Sequence, residues 1–509
     1  MKKTILVLLI IVSAICFWSF MVAQFKPDIP KVWDEEKLAT LELPIADSTI
    51  KVKHFPVDQY YKLPERSIYK TYPVYMAGKE PPGYYDWLKQ QEPEIIFDAS
   101  QLKTEEDWVK AGEHVFDMPI GFTTVDSTYA NDFIIRSKLW KEMSFPVTKE
   151  GIVPGLLYVV RKKGVVELGN LGCVNCHTRL MPDGSILKGA QGNFPFDWDG
   201  SINNIIDKQY KKFPDSVRNV PAAFFRHLLF AAPWVKHESQ LYSQSLDADA
   251  YMKETLATYP GLIFRHASAL GNYPTLIPDL YNIQQRKYLD RTGLQQHRDI
   301  GDLMRYAALN QGLDFYNDYN GFTALPLPED PSKSRVVRYS DEQLYALAKF
   351  IYALKPPANP NPPPAKEVER GQIIFQREKC GNCHTPPYYS SGQLTPALGF
   401  KPSDDLLMQY DIKDICVGTD PGLALYTRRG TGFYKIPSLI GAWNRTGFLH
   451  SGYVKTLEEM FDKTRLNDNY IPKGYKPAHL KTMAVKGHLF GLNLNEPDKK
   501  ALIAFIRSL

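Results

Sequence analysis

The chain has 509 residues, 44% of them hydrophobic, which is enough for real cores in two or three domains. Its 61 Lys and Arg residues nearly balance 56 Asp and Glu, and the net charge of +5 comes without a long basic run, so nucleic acid is not an expected partner. Four of the six cysteines belong to two copies of one motif, which excludes a disulfide framework.

An uncharged apolar run, Ile5 to Val22, follows two lysines at the N-terminus. As a helix it would be about 27 Å long, just enough to cross the hydrocarbon core of a membrane. Met21 stands where a cleavable signal needs a small residue. We therefore expect residues 1–25 to be a membrane anchor or a signal peptide. The body of the chain should then lie in the periplasm or elsewhere outside the cytoplasm, and an uncleaved segment 5–22 would anchor it to the inner membrane.

The first chemical motif is Cys173-Val174-Asn175-Cys176-His177, which has the C-x-x-C-H pattern of c-type haem attachment. Its two thiols would bind the haem covalently, and its histidine would become the proximal axial ligand of the iron. A redox-active cysteine pair and half of a zinc site are the alternatives, but the histidine after the second cysteine favours haem. We place this motif in a first haem domain, 106–355, on which an N-terminal extension, 26–105, is expected to pack.

The second copy of the motif is Cys380-Gly381-Asn382-Cys383-His384, so two covalently bound c-type haems are expected. A proline-rich stretch, 356–364, separates the two copies and can form neither a helix nor a central strand, which predicts a stiff linker. The second haem domain should therefore span 365–509. Gly164 and Gly371 each lie nine residues before the first cysteine of a motif, which indicates an internal repeat.

A shared pattern, L-x-x-F-I-x-x-L, occurs downstream of each motif, at 347–354 and at 502–509. Its spacing puts all four apolar residues on one face of a helix. Ser340 and Asn495 supply the N-cap of each predicted helix. Together these features predict a mainly α fold, in which two cytochrome c-type haem domains stand in tandem with long loops and follow an N-terminal membrane-anchor or signal helix.

The second domain carries a family resemblance. Val417-Gly418-Thr419-Asp420-Pro421, the run 427–441 and the run 445–459 resemble the segments that follow the second haem motif in bacterial di-haem cytochrome c peroxidases. The ending Lys486-Gly487-His488-Leu489-Phe490-Gly491-Leu492 is similar to that of the rubber-oxygenase-like branch of di-haem cytochromes. The resemblance is good over roughly 365–509 and absent before residue 100.

This resemblance implies a division of labour between two haems. One haem, usually the N-terminal one, meets hydrogen peroxide or dioxygen, and the other relays electrons from a small donor cytochrome or cupredoxin. It also implies that a calcium ion can lie between the domains, as in relatives. Met304 aligns with a glutamate that helps to cleave peroxide in the peroxidases, and an apolar side chain there argues against ordinary peroxidase chemistry.

The remaining iron ligands are predicted from position. His177 and His384 are the proximal ligands, and His488, in a glycine-flanked turn, is the first choice for the distal side of the second haem. His450 is the second choice. His297 and Met304 are weak candidates for the distal side of the first haem, since a polar loop is the more usual explanation for the histidine and core packing for the methionine.

Two classes of function follow from these assignments. The first is a di-haem c-type oxidoreductase that reduces hydrogen peroxide, or activates dioxygen, at one haem and relays electrons through the other. The second is a non-enzymatic periplasmic electron-transfer cytochrome. An iron with an open coordination position would distinguish the enzyme from the carrier.

Overall fold

The structure is a computed structural model of the chain. It describes residues 25–76, 78–124, 146–170, 172–194, 226–230, 232–251, 262–263, 273–334, 336–477 and 479–509, together with residues 214 and 223. The predicted anchor or signal helix at 5–22 lies outside the described residues.

Thirteen α-helices occur in this described part of the chain, most of them short. They are α1 Glu35–Ala39, α2 Val57–Tyr60, α3 Tyr84–Gln90, α4 Glu105–Asp117, α5 Cys173–Cys176, α6 Glu238–Ser245, α7 Ile300–Asn310, α8 Asp341–Ala353, α9 Ala365–Arg377, α10 Asp404–Gln409, α11 Gly422–Leu425, α12 Leu457–Met460 and α13 Glu496–Ser508. Single 3₁₀ or π-helical turns complete them, at Ala99–Gln101, Arg226–Phe230, Ile283–Gln285, Leu313–Tyr316, Pro331–Lys333, Cys380–Asn382, Ala442–Asn444 and Lys463–Leu466.

Fifteen strands form six small sheets within the same described residues. They are β1 Val52–Lys53, β2 Thr71–Tyr75, β3 Gly121–Thr124, β4 Ile152–Lys162, β5 Val165–Asn170, β6 Thr178–Leu180, β7 Ile186–Lys188, β8 Leu262–Ile263, β9 Thr275–Leu276, β10 Tyr288–Leu289, β11 Gln295–Gln296, β12 Asp318–Tyr319, β13 Phe322–Thr323, β14 Leu394–Pro396 and β15 Phe433–Lys435. The largest sheet is antiparallel, in the order β2-β4-β5-β3, and pairs Tyr72 with Tyr158 and Tyr158 with Leu168.

The predicted mainly α fold class is wrong for the described residues. The sheets above contribute too much of the described architecture for that class. None of the described helices combines the length and the apolar content that crossing a bilayer requires. The strands were missed because the prediction rested on the helical patterns near the two motifs, whereas β4 and β5 form a hairpin just before the first motif, around a turn at Lys163 and Gly164.

The helices predicted to close each half are present, as α8 and α13. Helix α8 is capped by Ser340, which accepts from the Gln343 N–H, and α13 by Asn495, which accepts from the Asp498 N–H. Each closing helix crosses an earlier helix: α8 packs on α4, and α13 packs on α9. The two crossings bury the apolar faces that the shared pattern predicted, and they form the frame that carries the two motifs.

At each crossing, a glycine allows the two helices to approach each other closely. A Cβ atom on Gly112 of α4 would lie 1.9 Å from the Ala346 carbonyl oxygen of α8, and one on Gly371 of α9 would lie 2.0 Å from the Ala501 carbonyl oxygen of α13. One turn further along, Phe116 meets Phe350 and Phe375 meets Phe505, each at 5.2 Å between ring centroids. The counterpart of Gly371 is therefore Gly112.

Gly164, which the sequence paired with Gly371, has a different place. It lies at the turn between β4 and β5 with a φ of +81°, where glycine avoids the steric cost of a side chain. Three strands of the largest sheet, β3, β4 and β5, are thus inserted between α4 and the first motif, whereas the second motif follows α9 directly. The predicted repeat is correct for the closing helices and wrong for this glycine.

The core of the first half is built partly from the N-terminal stretch. Trp33, Leu41 and Tyr60 are buried in one cluster with Leu344 of α8 and Met304 of α7. Residues 354–364, between α8 and α9, contain no helix or strand. The domain boundaries given above stay a prediction, since packing of this kind does not define where a domain ends.

We expect Gly371→Ala to destabilise the protein. In an open helix this change would stabilise by about 1 kcal/mol, because alanine is the better helix former. Here the added methyl group overlaps the Ala501 carbonyl, so α9 and α13 must move apart at a cost of roughly 1–3 kcal/mol. Urea unfolding followed by circular dichroism measures the difference. The exposed neighbour change Gln372→Ala is the matched control, and a Gly371→Ala variant as stable as this control would contradict the crossing described here.

Candidate functional site

The second C-x-x-C-H motif, called here the second site (Cys380, Cys383 and His384), forms a tight turn directly after α9. The Cys383 N–H and the His384 N–H both donate to the Cys380 carbonyl, at 3.2 and 2.9 Å. Both cysteines and the histidine line one cavity. Burial raises the pKa of the Cys380 thiol to about 11, so it is a poor candidate for the low-pKa thiolate of a redox-active cysteine pair.

The cavity of the second site has a void of about 1480 Å³, which includes its open mouth. Most of its wall is apolar and comes from α9, α12, α13 and the segment after α12, with the side chains Phe375, Leu457, Met460, Phe461 and Ile506. Such a wall suits an aromatic macrocycle.

Two histidines face one another across this cavity. The ring centroids of His384 and His488 are 6.5 Å apart, and the rings are inclined at 51°. With metal–nitrogen bonds of about 2.0–2.1 Å, two imidazoles on opposite sides of one metal ion have centroids roughly 6.3 Å apart. Burial lowers the pKa of His384 to about 4 and that of His488 to about 3, which keeps both rings in the neutral form that binds a metal.

The tautomer of His384 is set by the chain behind it. Its Nδ1 lies 3.1 Å from the Pro437 carbonyl oxygen and 3.3 Å from the Tyr389 carbonyl oxygen. Donation from Nδ1 to these carbonyls leaves the Nε2 lone pair for an iron, which is the usual arrangement of a metal-binding histidine. His488 lies in a loop where the sequence predicted it, with a φ of +46°.

His450, the second choice for a ligand, lines the same cavity but is already engaged. Its ring stacks on that of Tyr434 at 4.1 Å, and its Nε2 lies 3.1 Å from the Tyr434 hydroxyl oxygen. The Tyr434 hydroxyl donates to the Asp420 carbonyl at 2.6 Å. Burial and the positive charge of Arg291 lower the pKa of His450 to about 3. The arrangement favours His488 over His450 opposite His384.

One end of the cavity is cationic. Arg291, Lys435 and Arg445 line it there, and all three also line a second void of about 740 Å³ that extends towards Pro278 of the first half. Asp279 accepts from Arg445 at 2.8 Å and from Arg286 at 2.6 Å. Burial and the neighbouring arginines lower the pKa of Lys435 well below its usual range.

The charges at this cationic end do not cancel. Three arginines (Arg286, Arg291, Arg445) adjoin two carboxylates (Asp279, Asp290), so the positive charges outnumber the negative ones even when Lys435 is neutral. Buried charges of one sign need partners. A haem presents two propionates on one edge of an apolar ring, so its charges and shape match an apolar cavity with this cationic end. The residues present therefore fit a haem at the second site.

The first C-x-x-C-H motif, called here the first site (Cys173, Cys176 and His177), begins with the one-turn helix α5. The Asn175 side chain accepts from the Gly172 N–H at 2.7 Å and donates to the Gly155 carbonyl of β4. This pair of bonds ties the motif to the inserted sheet. Burial raises the pKa of Cys173 to about 11, as at Cys380.

The proximal histidines of the two sites have matching partners. His177 Nδ1 lies 3.1 Å from the Pro278 carbonyl oxygen, as His384 Nδ1 does from that of Pro437. Both prolines belong to a pattern that sequence reasoning missed: Ile-Pro-x-Leu followed by Arg-Thr-Gly, at 277–280 with 291–293 and at 436–439 with 445–447. The pattern supplies the carbonyl partner of each histidine and two of the cavity arginines, Arg291 and Arg445.

The two candidates for the distal side of the first haem, His297 and Met304, both lie in buried surroundings. Both ring nitrogens of His297 have partners, Nδ1 with the Arg286 carbonyl at 2.7 Å and Nε2 with the Tyr352 hydroxyl at 2.6 Å. Met304 is wholly buried in the core of the first half. Their ligand roles stay predictions. The calcium ion expected between the domains also stays a prediction. Within the described residues, no group of three or more His, Cys, Asp or Glu side chains could hold a metal ion.

Comparisons with known proteins add little to this geometry. No protein-family model matches the chain, and no curated protein matches it. Among solved structures, the chain is similar to Kuenenia stuttgartiensis hydrazine synthase pressurised with 20 bar xenon, at a TM-score of 0.30 and 16% identity, over 57% of this chain and 92% of that chain. A TM-score this low carries no argument about fold or function, so the resemblance to di-haem peroxidases stays a prediction.

Proposed function

We propose that the protein is a di-haem c-type oxidoreductase. Its second site would take up and hand on electrons, and its first site would meet hydrogen peroxide or dioxygen. The observation that carries the proposal is the 6.5 Å separation of the His384 and His488 rings across a cavity lined by both cysteines of the second site. A bound haem supplies a one-electron iron couple at each site.

The side chains of the second site suit electron transfer rather than substrate binding. Cys380 and Cys383 would hold the haem covalently, while His384 and His488 would occupy both axial positions and leave no room for a small oxidant. The apolar wall around Phe375 and Phe461 would pack against the faces of the haem ring. Arg291, Lys435 and Arg445 would bind the propionates at the cationic end, and their charge favours the electron-rich state of the site.

The first site is proposed as the reactive one. His177, with Nδ1 turned to the Pro278 carbonyl, would present Nε2 from one side. Both ring nitrogens of His297 are occupied, which disfavours it as a ligand, and we take Met304, which shares a core cluster with Cys173 and Val174, as an apolar wall of the first site rather than as an iron ligand. An open position would admit hydrogen peroxide or dioxygen. Electrons would come from a small donor cytochrome or cupredoxin, outside the cytoplasm where c-type haems are attached.

The spin states of the two irons test this function. The protein is produced with c-type haem maturation, and its fully oxidised form is examined by electron paramagnetic resonance. One low-spin and one high-spin ferric signal, with peroxide or dioxygen consumed at the expense of a reduced small cytochrome, is the expected result. Two low-spin signals in the oxidised form, with no high-spin signal appearing on half-reduction and no turnover, would favour a non-enzymatic electron-transfer cytochrome.

A further inference from the structure

A buried arginine outside both motifs, Arg465, donates hydrogen bonds to the loop that carries His488. Arg465, in the turn Lys463–Leu466, has no solvent exposure. Its Nε donates to the Met460 carbonyl at 3.1 Å and its Nη1 to the Val485 carbonyl at 2.5 Å. Its Nη2 donates to the carbonyls of Gly487 and His488, both at 2.9 Å. One guanidinium thus serves four main-chain carbonyls.

These carbonyls belong to two walls of the second-site cavity. Met460 ends α12 and lines the cavity itself. Val485, Gly487 and His488 form the loop on the side opposite His384, and the Val485 N–H donates back to the Arg465 carbonyl at 2.7 Å. Arg465 therefore fixes the position of the His488 loop relative to the apolar wall.

The loop needs such a support because its backbone is strained. His488 has a φ of +46°, a left-handed conformation that an L-residue adopts only at an energetic cost. Gly487 has a φ of +82°, and a Cβ there would lie 2.3 Å from the Thr419 nitrogen. The His488 N–H donates to the Val417 carbonyl at 2.9 Å. A strained ligand loop of this kind keeps its shape only while its surroundings hold it from more than one side.

We propose that Arg465 is a positioning residue that keeps His488 at the second site, so that this iron remains six-coordinate and closed to small ligands. The inference rests on the proposed function, since it takes the second site to hold haem. A guanidinium suits the role because its donors form a planar fork in fixed directions, which an ammonium group cannot reproduce. Glu459, whose carboxylate is occupied by Tyr470 and by the N–H groups of Lys455 and Lys473, lies near enough to offset part of the buried charge.

The test is Arg465→Lys in the full-length holoprotein, with Arg465→Gln as a second variant. Arg429→Lys is the matched control, because Arg429 is an equally buried arginine that binds Glu42 and Asp314 and lines neither void. Losing one or two hydrogen bonds to the loop should shift the balance between bound and unbound His488 about tenfold. The readouts are the high-spin ferric fraction of the second haem and carbon monoxide binding to its ferrous form.

We expect both readouts to rise in the Arg465 variants and to stay at the wild-type level in Arg429→Lys. Unchanged readouts in folded Arg465 variants would overturn the proposal. Loss of fold in both Arg465 variants, with Arg429→Lys folded, would assign Arg465 to the core alone and would also overturn it. The His488→Ala variant tests the ligand assignment separately from the role of Arg465. If the second haem stays low-spin in His488→Ala, His488 is not its ligand. If the second haem becomes high-spin in His488→Ala but not in the Arg465 variants, only the role of Arg465 is rejected.

Discussion

Replacing Cys380 and Cys383 together by alanine should leave a protein with one covalently bound haem per chain instead of two. The two thiols are the only described cysteines on the second-site cavity, and their thioether bonds would be what keeps a haem there through purification. Replacing Cys173 and Cys176 should remove the other haem. The pyridine haemochrome absorbance per chain and the intact mass of the denatured protein measure both outcomes.

Cys416→Ala is the control for this experiment. Cys416 is exposed and belongs to neither motif, so the variant should keep both haems. Two covalent haems in Cys380→Ala/Cys383→Ala, or bound zinc in place of haem in the wild-type protein, would contradict the assignment of the motif. Partial loss of the second haem in the Cys173→Ala/Cys176→Ala variant would show that one site must be filled before the other can fold around its own haem.

Replacing His488 by alanine should turn the second haem from low-spin to high-spin in the ferric state. Its ring is the one placed opposite His384 at the spacing of two axial ligands, and its removal leaves an open coordination position beside an apolar wall. His488→Met should instead keep the iron six-coordinate and raise its reduction potential, because thioether ligation favours the ferrous form. Electron paramagnetic resonance reports the spin state, and a potentiometric titration reports the potential.

Two other histidines provide comparison variants for this prediction. His479 packs against Tyr242 at 4.4 Å between ring centroids and does not line the cavity, so His479→Ala should leave the low-spin signal unchanged. His450 lines the cavity, but its Nε2 is held by Tyr434. A low-spin signal that survives in His488→Ala and disappears in His450→Ala would reverse the ligand assignment.

The parts of the site that were predictable from sequence are those in which chemistry dictates local order. The C-x-x-C-H pattern needs its residues in one turn, so it identifies the two motifs directly. Helices α8 and α13 were predictable because a buried helix face repeats with a fixed period. His488 could be chosen because flanking glycines allow a loop to approach the iron, and its φ of +46° agrees with that reading.

The other features of the fold and the site depend on contacts in the folded chain, which the spacing of residues along the sequence does not reveal. Gly164 and Gly371 have the same distance to a cysteine, but a glycine that packs two helices and a glycine that turns a hairpin cannot be told apart by counting residues. The run of β-branched and other apolar residues in β4 and β5, interrupted by the turn at Lys163 and Gly164, would have indicated strands before the first motif. The cationic end of the cavity combines Arg291 with Lys435 and Arg445, which are distant in sequence, so only the folded chain shows that these charges share one place.

The ion pair between Asp279 and Arg445 lies on a bonded route for electron tunnelling between His177 and His384. The His177 Nδ1 lies 3.1 Å from the Pro278 carbonyl oxygen, and the next residue, Asp279, accepts from Arg445 at 2.8 Å. Arg445 also donates to the Ser438 carbonyl at 2.9 Å, and the carbonyl oxygen of the preceding residue, Pro437, lies 3.1 Å from the His384 Nδ1. Covalent bonds and four hydrogen bonds therefore join the two proximal histidines without a through-space jump. Since electronic coupling decays far less steeply through bonds than across gaps, this ion pair would lie on the electron path between the two proposed haems, besides joining the two halves of the protein.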